Sequence, residues 1–306
     1  MAKSRKIKNK ASRKPATFSL VRFDALPVAL IVTGLIVGYL IAWGVCVLYW
    51  WVRFYKTSPI LPKSLTPGTI PAIMYKQGET DIVPPEIVEL YRTIESDNPG
   101  YRVVYFSDKT RRAFIANHLE TQFPGLVNAY DRIVPGAYRA DLFRYCVLYA
   151  KGGLYGDFSQ QYLVPLDTLV DRHQDELVMA LDALIPLYPF HILTGFQNSF
   201  LASRPGHLFW KRCIHQIMKN VRTEYYGSGP LEPTGPILLK NVIDAHPEIQ
   251  YRMDIGLFFR GDPHFQRLGT YEKVIRHKSP GHYSLMRSGE HYANLWHRGE
   301  VYRDVK

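Results

Sequence analysis

Apolar positions along this chain fall into two regimes. Residues 25–52 (ALPVALIVTGLIVGYLIAWGVCVLYWWV) carry no charge at all. From residue 70 onward, short β-branched and aromatic runs alternate with longer runs at helical spacing. IPAIMYKQ (70–77) and YRVVYFSD (101–108) predict buried strands. Between them, PPEIVELYRTIESDNPG predicts a helix that starts after its prolines and stops at Asn98-Pro99-Gly100. Helical segments follow to about residue 131. Next, 137-AYRADLFRYCVLYAKGG-153 predicts a helix closed by a glycine pair suited to a left-handed cap. A strand over 154–159 comes after it, then a strand or helix near ELVMALDAL and a strand near NSFLAS. SRPGHLFWKRCIHQIMKNV predicts a helix, and TGPILLKNVIDAHP another with Thr234 as its N-cap. From about residue 251 the pattern breaks into short strands and loops. Strands alternating with helices predict one α/β domain over 69–306, without an internal repeat.

The uncharged run exceeds the roughly 20 apolar residues that a helix needs to cross a bilayer. A signal peptide's apolar region is shorter, usually ~7–15 residues, and no small-residue cleavage pattern follows this one. Residues 1–24 hold eight basic side chains against Asp24 alone. Such a tail stays cytosolic, and Trp43, Tyr49, Trp50 and Trp51 suit the interfacial aromatic belt. The expectation is a basic cytosolic tail over 1–24, a single-pass anchor over 25–52 and a Pro/Ser/Lys-rich stem over 53–68. A second span over 177–196 is excluded by Asp182, Pro186, Pro189 and His191.

The formal charge of +11 belongs mostly to that tail, so the outer domain is not expected to bind nucleic acid. Of three cysteines, Cys46 falls in the anchor, while Cys146 and Cys213 sit on apolar helix faces as expected free thiols. There is no G-x-G-x-x-G, P-loop, H-E-x-x-H, G-x-S-x-G or cysteine pair at zinc spacing. What remains is the helix–turn–strand unit. Asp141, Arg144 and Tyr145 share one helix face, and alone Asp141 and Arg144 read as a surface ion pair. Tyr155, Asp157 and Ser159 alternate onto one strand face, opposite Leu154, Gly156 and Phe158. Two oxygen-bearing side chains would then point beyond a strand end, where open α/β sheets bind ligands. Gly156 between them leaves room for a ligand or another chain segment to approach closely.

The order AYRADLFRYCVLYAKGGLYGDFS…PLD resembles the DXD-containing segment of glycosyltransferase family 32. IPAIMYKQ and NPGYRVVYFSD are similar to that family's first two strands, and NSFLASRPGHLFW and TGP follow in the expected order. Four positions depart from the pattern: Tyr75 where His is usual, Ser107 where Asp is common, Ala140 for Ser, and Ser159 for the second Asp of DXD. The resemblance implies a GT-A-type, Rossmann-like mixed sheet with flanking helices, here preceded by one N-terminal transmembrane helix. It implies transfer of a hexose from a GDP- or UDP-hexose to a glycan or glycolipid, with retention, by a type II protein of the Golgi or endoplasmic reticulum.

Residue by residue, the resemblance makes Asp157, Asp141 and Arg144 catalytic candidates. Tyr75, Gln77, Asp108, Arg139, Tyr145, Gly153, Tyr155 and Asn198 become candidates for donor binding. Asp157, Ser159 and His297 are the candidate metal ligands, with His291 in reserve and Arg298 as an alternative source of positive charge. The expected metal is manganese, loosely held and dispensable, because a neutral Ser159 hydroxyl replaces a carboxylate. Oligomer formation is left open. The rival expectation is an anchored domain that lost catalysis with its second carboxylate and only binds nucleotide or glycan.

Overall fold

The computed structural model describes residues 33–46, 48, 68–183, 194–257, 263–268, 270–278 and 290–305. Residues Met1–Trp51 and Val52–Lys306 form separate compact units. In the first, 33–46 are helical. Apart from residue 48, the rest of the predicted anchor, the basic tail and the stem up to residue 67 lie outside the described residues. Among the described residues, no helix is long and apolar enough to cross a membrane.

The second unit is built on a mixed sheet with nine strands among the described residues, in the order β2-β1-β3-β6-β5-β7-β8-β9-β4. Strands β1 (Ile73–Gln77), β2 (Arg102–Phe106) and β3 (Gly153–Gly156) run parallel, with β1 in the middle. Strand β6 (Thr194–Ser203) then pairs antiparallel with both β3 and β5 (Leu177–Ala183). The short β7 (Ile255–Leu257), β8 (His264–Arg267) and β9 (Lys273–Arg276) extend the sheet to β4 (Gln161–Tyr162). Seven helices complete the described part of the unit: α1 (Pro85–Asp97), α2 (Asp108–His118), α3 (Leu126–Arg132), α4 (Gly136–Lys151), α5 (Leu208–Arg222), α6 (Pro236–Ala245) and α7 (Tyr292–His297).

Strand alternation divides the core into two layers. Tyr75, Tyr155, Met179 and Leu201 pack into one layer with residues of α2 to α6, among them Phe114, Leu142, Trp210 and Leu238. Met74, Leu154, Val178 and Ala202 face the other layer, with Ile87 and Leu90 of α1 and with Leu166, Phe265 and Ile275. Helix α4 is central to the first layer, because ten of its sixteen residues are buried. Cys146 and Cys213 are buried and free, as the apolar faces around them indicated.

Three local expectations change. The strand predicted to run through residue 159 ends at Gly156, and the amide of Gln160 turns back to donate to the Asp157 carbonyl at 3.1 Å. Thr234 does not cap α6; Gly235 occupies that position without a side-chain hydrogen bond. The Thr234 hydroxyl instead donates to Asp141 Oδ2 at 2.7 Å. A helix, α7, also stands in a region expected to hold only short strands and loops.

Candidate functional site

The chain leaves β1 toward β2 on one side, while β3 lies on the other, so the strand order reverses at β1. Beyond the carboxyl ends of such strands lies the crevice where α/β sheets take ligands. Three polar segments converge there: Gln77 to Glu79 at the end of β1, Ser107 and Asp108 after β2, and the turn Asp157–Gln160 after β3.

Asp157 is the outermost member of a buried charge chain. Its side chain is 34% exposed, whereas those of Arg144 and Asp141 are 8% and 10% exposed. Arg144 Nη1 lies 3.5 Å from Asp157 Oδ1, and Nη2 lies 3.1 Å from Asp141 Oδ1. The same guanidinium sits over the Tyr155 ring, 4.6 Å from its centroid, and donates to the Asn198 carbonyl. Asn198 Nδ2 donates to Asp141 Oδ1 at 2.9 Å, which with Thr234 gives Asp141 three donors. Burial pushes the Asp141 carboxyl up, against the pull of Arg144 and its two hydrogen bonds. Burial also opposes the Arg144 charge, but Tyr155, Asp141 and Asp157 outweigh it and raise its pKa. The surface ion pair that spacing suggested is therefore wrong: Asp141–Arg144 is a buried pair, locked by residues far away in sequence. Removing one partner of such a pair costs about 3–5 kcal/mol, not the few tenths of an exposed pair.

Tyr155 orients the tip of this chain. Its hydroxyl donates to Asp157 Oδ1 at 2.9 Å and accepts from Gln77 Nε2 at 2.7 Å. Gln77 Nε2 also donates to the Ala140 carbonyl, and its Oε1 accepts from Arg111 Nη1 at 2.9 Å. Both ends of the Gln77 amide are thus engaged within the protein. Tyr75 and Tyr145 lie in the core; Tyr145 stacks on Trp210 at 5.5 Å and donates to the Thr234 carbonyl. Burial raises the Tyr75 phenol to about 12. Gly153 is required by its backbone: φ is +100°, and a Cβ there would stand 2.8 Å from the Ile73 carbonyl.

A second cluster gathers at the end of β2. Asp108 Oδ1 accepts from Arg111 at 2.8 Å, Tyr130 at 2.8 Å and Arg139 at 3.1 Å. Burial raises this carboxyl, but Tyr130, Arg139 and Arg111 together bring it below the usual range. Ser107, one of the departures from the family pattern, is the N-cap of α2 and forms a capping box with Thr110.

Beneath the 157–160 turn lies a residue the sequence did not single out. Lys76 has no exposed surface, and its Nζ donates to the Asp157 carbonyl at 3.0 Å and to Tyr162 Oη at 3.3 Å. The ammonium also lies 4.9 Å from the centroid of the Tyr162 ring. Burial pushes its pKa down to about 7, opposed by Asp157. A Cβ at Gly156 would come within 2.9 Å of both Lys76 Nζ and Gln160 Oε1, so the room at Gly156 serves another chain segment. The available signal was a lysine in a buried strand, on the face opposite Tyr75 and Gln77. On the far side of the turn, Gln160 Nε2 lies 3.2 Å from His277 Nδ1. His277, rather than a residue near 291–298, is therefore a histidine that the described structure ties to this turn.

A divalent cation held by protein needs several carboxylate or carbonyl oxygens. This turn offers one carboxylate, already engaged at Oδ1 by Tyr155 and close to a guanidinium, and Ser159 is only 2% exposed. His297 is exposed at the end of α7 with its ring against Trp296, and Arg298 pairs with Glu290 and Glu300. His291 caps α7 by accepting from the Ala293 amide. Among the described residues, no group of three His, Cys, Asp or Glu could hold a metal ion. The described residues do not fit a protein-held metal.

Comparison with known proteins agrees with the sequence resemblance. Residues 84–176 match the family model described as "Glycosyltransferase sugar-binding region containing DXD motif". The chain is 27% identical over 175 residues to inositol phosphoceramide mannosyltransferase 3 of Schizosaccharomyces pombe, covering 54% of this chain and 44% of the relative. It is 34% identical over 91 residues to the initiation-specific alpha-1,6-mannosyltransferase of Candida albicans, covering 30% of this chain and 23% of the relative. The chain therefore spans less than half the length of these curated relatives. Among solved structures, PaToxG Glycosyltransferase aligns over 69% of this chain and 81% of its own, at a TM-score of 0.42 and 13% identity, too distant to carry the fold. The segment from α1 to the loop before β5 is thus the part that matches the glycosyltransferase sugar-binding region, in line with the resemblance.

Proposed function

We propose that the chain is a retaining hexosyltransferase that moves a hexose from a nucleotide sugar to a glycan or glycolipid. The observation that carries this reading is the Asp141–Arg144–Asp157 chain at the strand-order reversal, of which only Asp157 reaches solvent appreciably. Asp157 contacts the donor's sugar or ribose hydroxyls, while Arg144, Tyr155 and Asp141 hold its carboxylate in place. The Asp108 cluster lies toward the nucleotide. In the reaction the bond between the sugar's anomeric carbon and the phosphate oxygen breaks, and the acceptor oxygen bonds to that carbon on the same face. The acceptor's proton passes to the departing diphosphate, so no separate base is required. The names of the relatives favour mannose as the hexose and a glycolipid or glycan as acceptor. Residues 1–24, 25–52 and 53–68 serve as cytosolic tail, single-pass anchor and stem of a type II protein with a GT-A domain in the lumen of the Golgi or endoplasmic reticulum.

A panel of nucleotide sugars in a thermal-shift experiment tests the donor-binding part. A ligand that binds only the folded state at 100 times its Kd stabilises it by about 2.7 kcal/mol. For a domain of this size that is a shift on the order of 5–10 °C. One GDP- or UDP-hexose is expected to give it, and a flat response across the panel contradicts the proposal.

The absent second carboxylate leads to a separate expected result. Ser159→Asp adds one charged ligand to the turn, and ligand charge count tunes cation affinity. Manganese binding to the apo protein, read by calorimetry or electron paramagnetic resonance, is expected to be barely detectable in the wild type. It should tighten by about tenfold or more in the variant. Tight binding by the unaltered protein would show that another residue supplies the missing oxygen.

A further inference from the structure

Lys76 is a fully buried amine, cationic below its lowered pKa of about 7, with no carboxylate within ion-pair distance among the described residues. Burying a charge without a direct counter-ion is costly, and such a group ordinarily persists only where something compensates it. Here the compensation is partial: a carbonyl, a phenol oxygen and an aromatic face. Lys76 Nζ grips the backbone carbonyl of Asp157, the residue whose side chain reaches solvent. Tyr162, Gln160 and Asp157 face it from the turn and β4, and His277 stands behind Gln160. Asp141, Arg144, Asp157 and Lys76 together make two carboxylates and two cations. With Lys76 protonated, these four groups carry no net formal charge.

We propose that Lys76 is the resident cation of this site: fixed beneath the Asp157–Gln160 turn, it supplies from inside the protein the positive charge toward a nucleoside diphosphate that a bound divalent ion would otherwise supply. The inference rests on the nucleotide-sugar reading above and adds how that site handles the leaving group's charge. Lys76 does not touch the ligand; it acts through the low-dielectric turn and through the position it imposes on the Asp157 backbone. At separations of several ångströms and an effective dielectric near 20, one such charge is worth about tenfold or more in the affinity for a diphosphate.

Calorimetry of GDP and UDP binding to the full chain at pH 6, with manganese or with a chelator, tests it. In the wild type, one diphosphate is expected to bind with a Kd that the chelator changes by less than about threefold, since the positive charge is already resident. Lys76→Gln and Lys76→Met are expected to weaken metal-free binding by about tenfold or more, and manganese to restore most of the loss. A simple packing role would weaken binding equally with and without metal. Wild-type binding that requires manganese, or Lys76→Gln with unchanged metal-free affinity, overturns the inference while leaving the nucleotide-sugar reading intact. Failure of both diphosphates to bind under either condition overturns that reading and this inference with it. If neither variant folds, the wild-type comparison alone decides.

Discussion

Asp157→Asn is expected to reduce hexose transfer by about 10²–10³-fold, the loss typical of removing one preorganised electrostatic group. The fold should survive. Asp157 is a third exposed, follows the last residue of β3, and is held by its own amide donating to Ser199 at 3.1 Å. Asparagine keeps the shape and an oxygen for the Tyr155 hydroxyl, so the melting temperature should move by no more than a few degrees. What it loses is the charge that faces the ligand. Near-normal turnover by this variant would move the functional carboxylate elsewhere.

Arg144→Ala should have the larger total effect, because it acts on stability and activity together. The guanidinium ties Asp141 to Asp157 and to the Asn198 carbonyl, and removing it leaves the Asp141 carboxylate buried without a cation. The expected cost is about 3–5 kcal/mol. That is a large share of a typical domain stability of ~5–15 kcal/mol, and it should lower the melting temperature by roughly 6–20 °C. Arg144→Lys keeps a positive charge but not the planar fork that reaches two carboxylates at once. It should recover part of the stability and little of the activity. A folded Arg144→Ala variant melting within 2 °C of the wild type, on the order of one-half kcal/mol, would return the pair to the weak surface bridge that spacing alone suggested.

The contrast marks how far the residues could be read in order. Elements with a strong period were legible: β1 and β2 as apolar runs, α4 and α5 by helical spacing, and the glycine pair that turns α4 into β3 with φ values of +63° and +100°. The Asp141–Arg144–Asp157 trio was legible as well, since its members lie within one helix–turn–strand unit. Its burial was not. The groups that close over Asp141 come from Asn198 and Thr234, 57 and 93 positions away. Thr234 was misread for the same reason, because a threonine before Gly-Pro looks like a cap until a buried carboxylate competes for its hydroxyl. Lys76 escaped notice because its polar partner Tyr162 is 86 positions downstream. The late histidines were candidates on order alone, and His277, just after β9, reaches the turn through Gln160.

The most direct test of the central claim is nucleotide-sugar hydrolysis and transfer by the purified protein across GDP- and UDP-hexoses, with Asp157→Asn alongside. The account predicts that one donor releases its nucleoside diphosphate, that transfer to an acceptor accelerates the release, and that Asp157→Asn lowers both by about 10²–10³-fold while still folding. A donor that binds and is never consumed, in the presence or absence of manganese, would contradict it and leave a domain that only holds nucleotide or glycan.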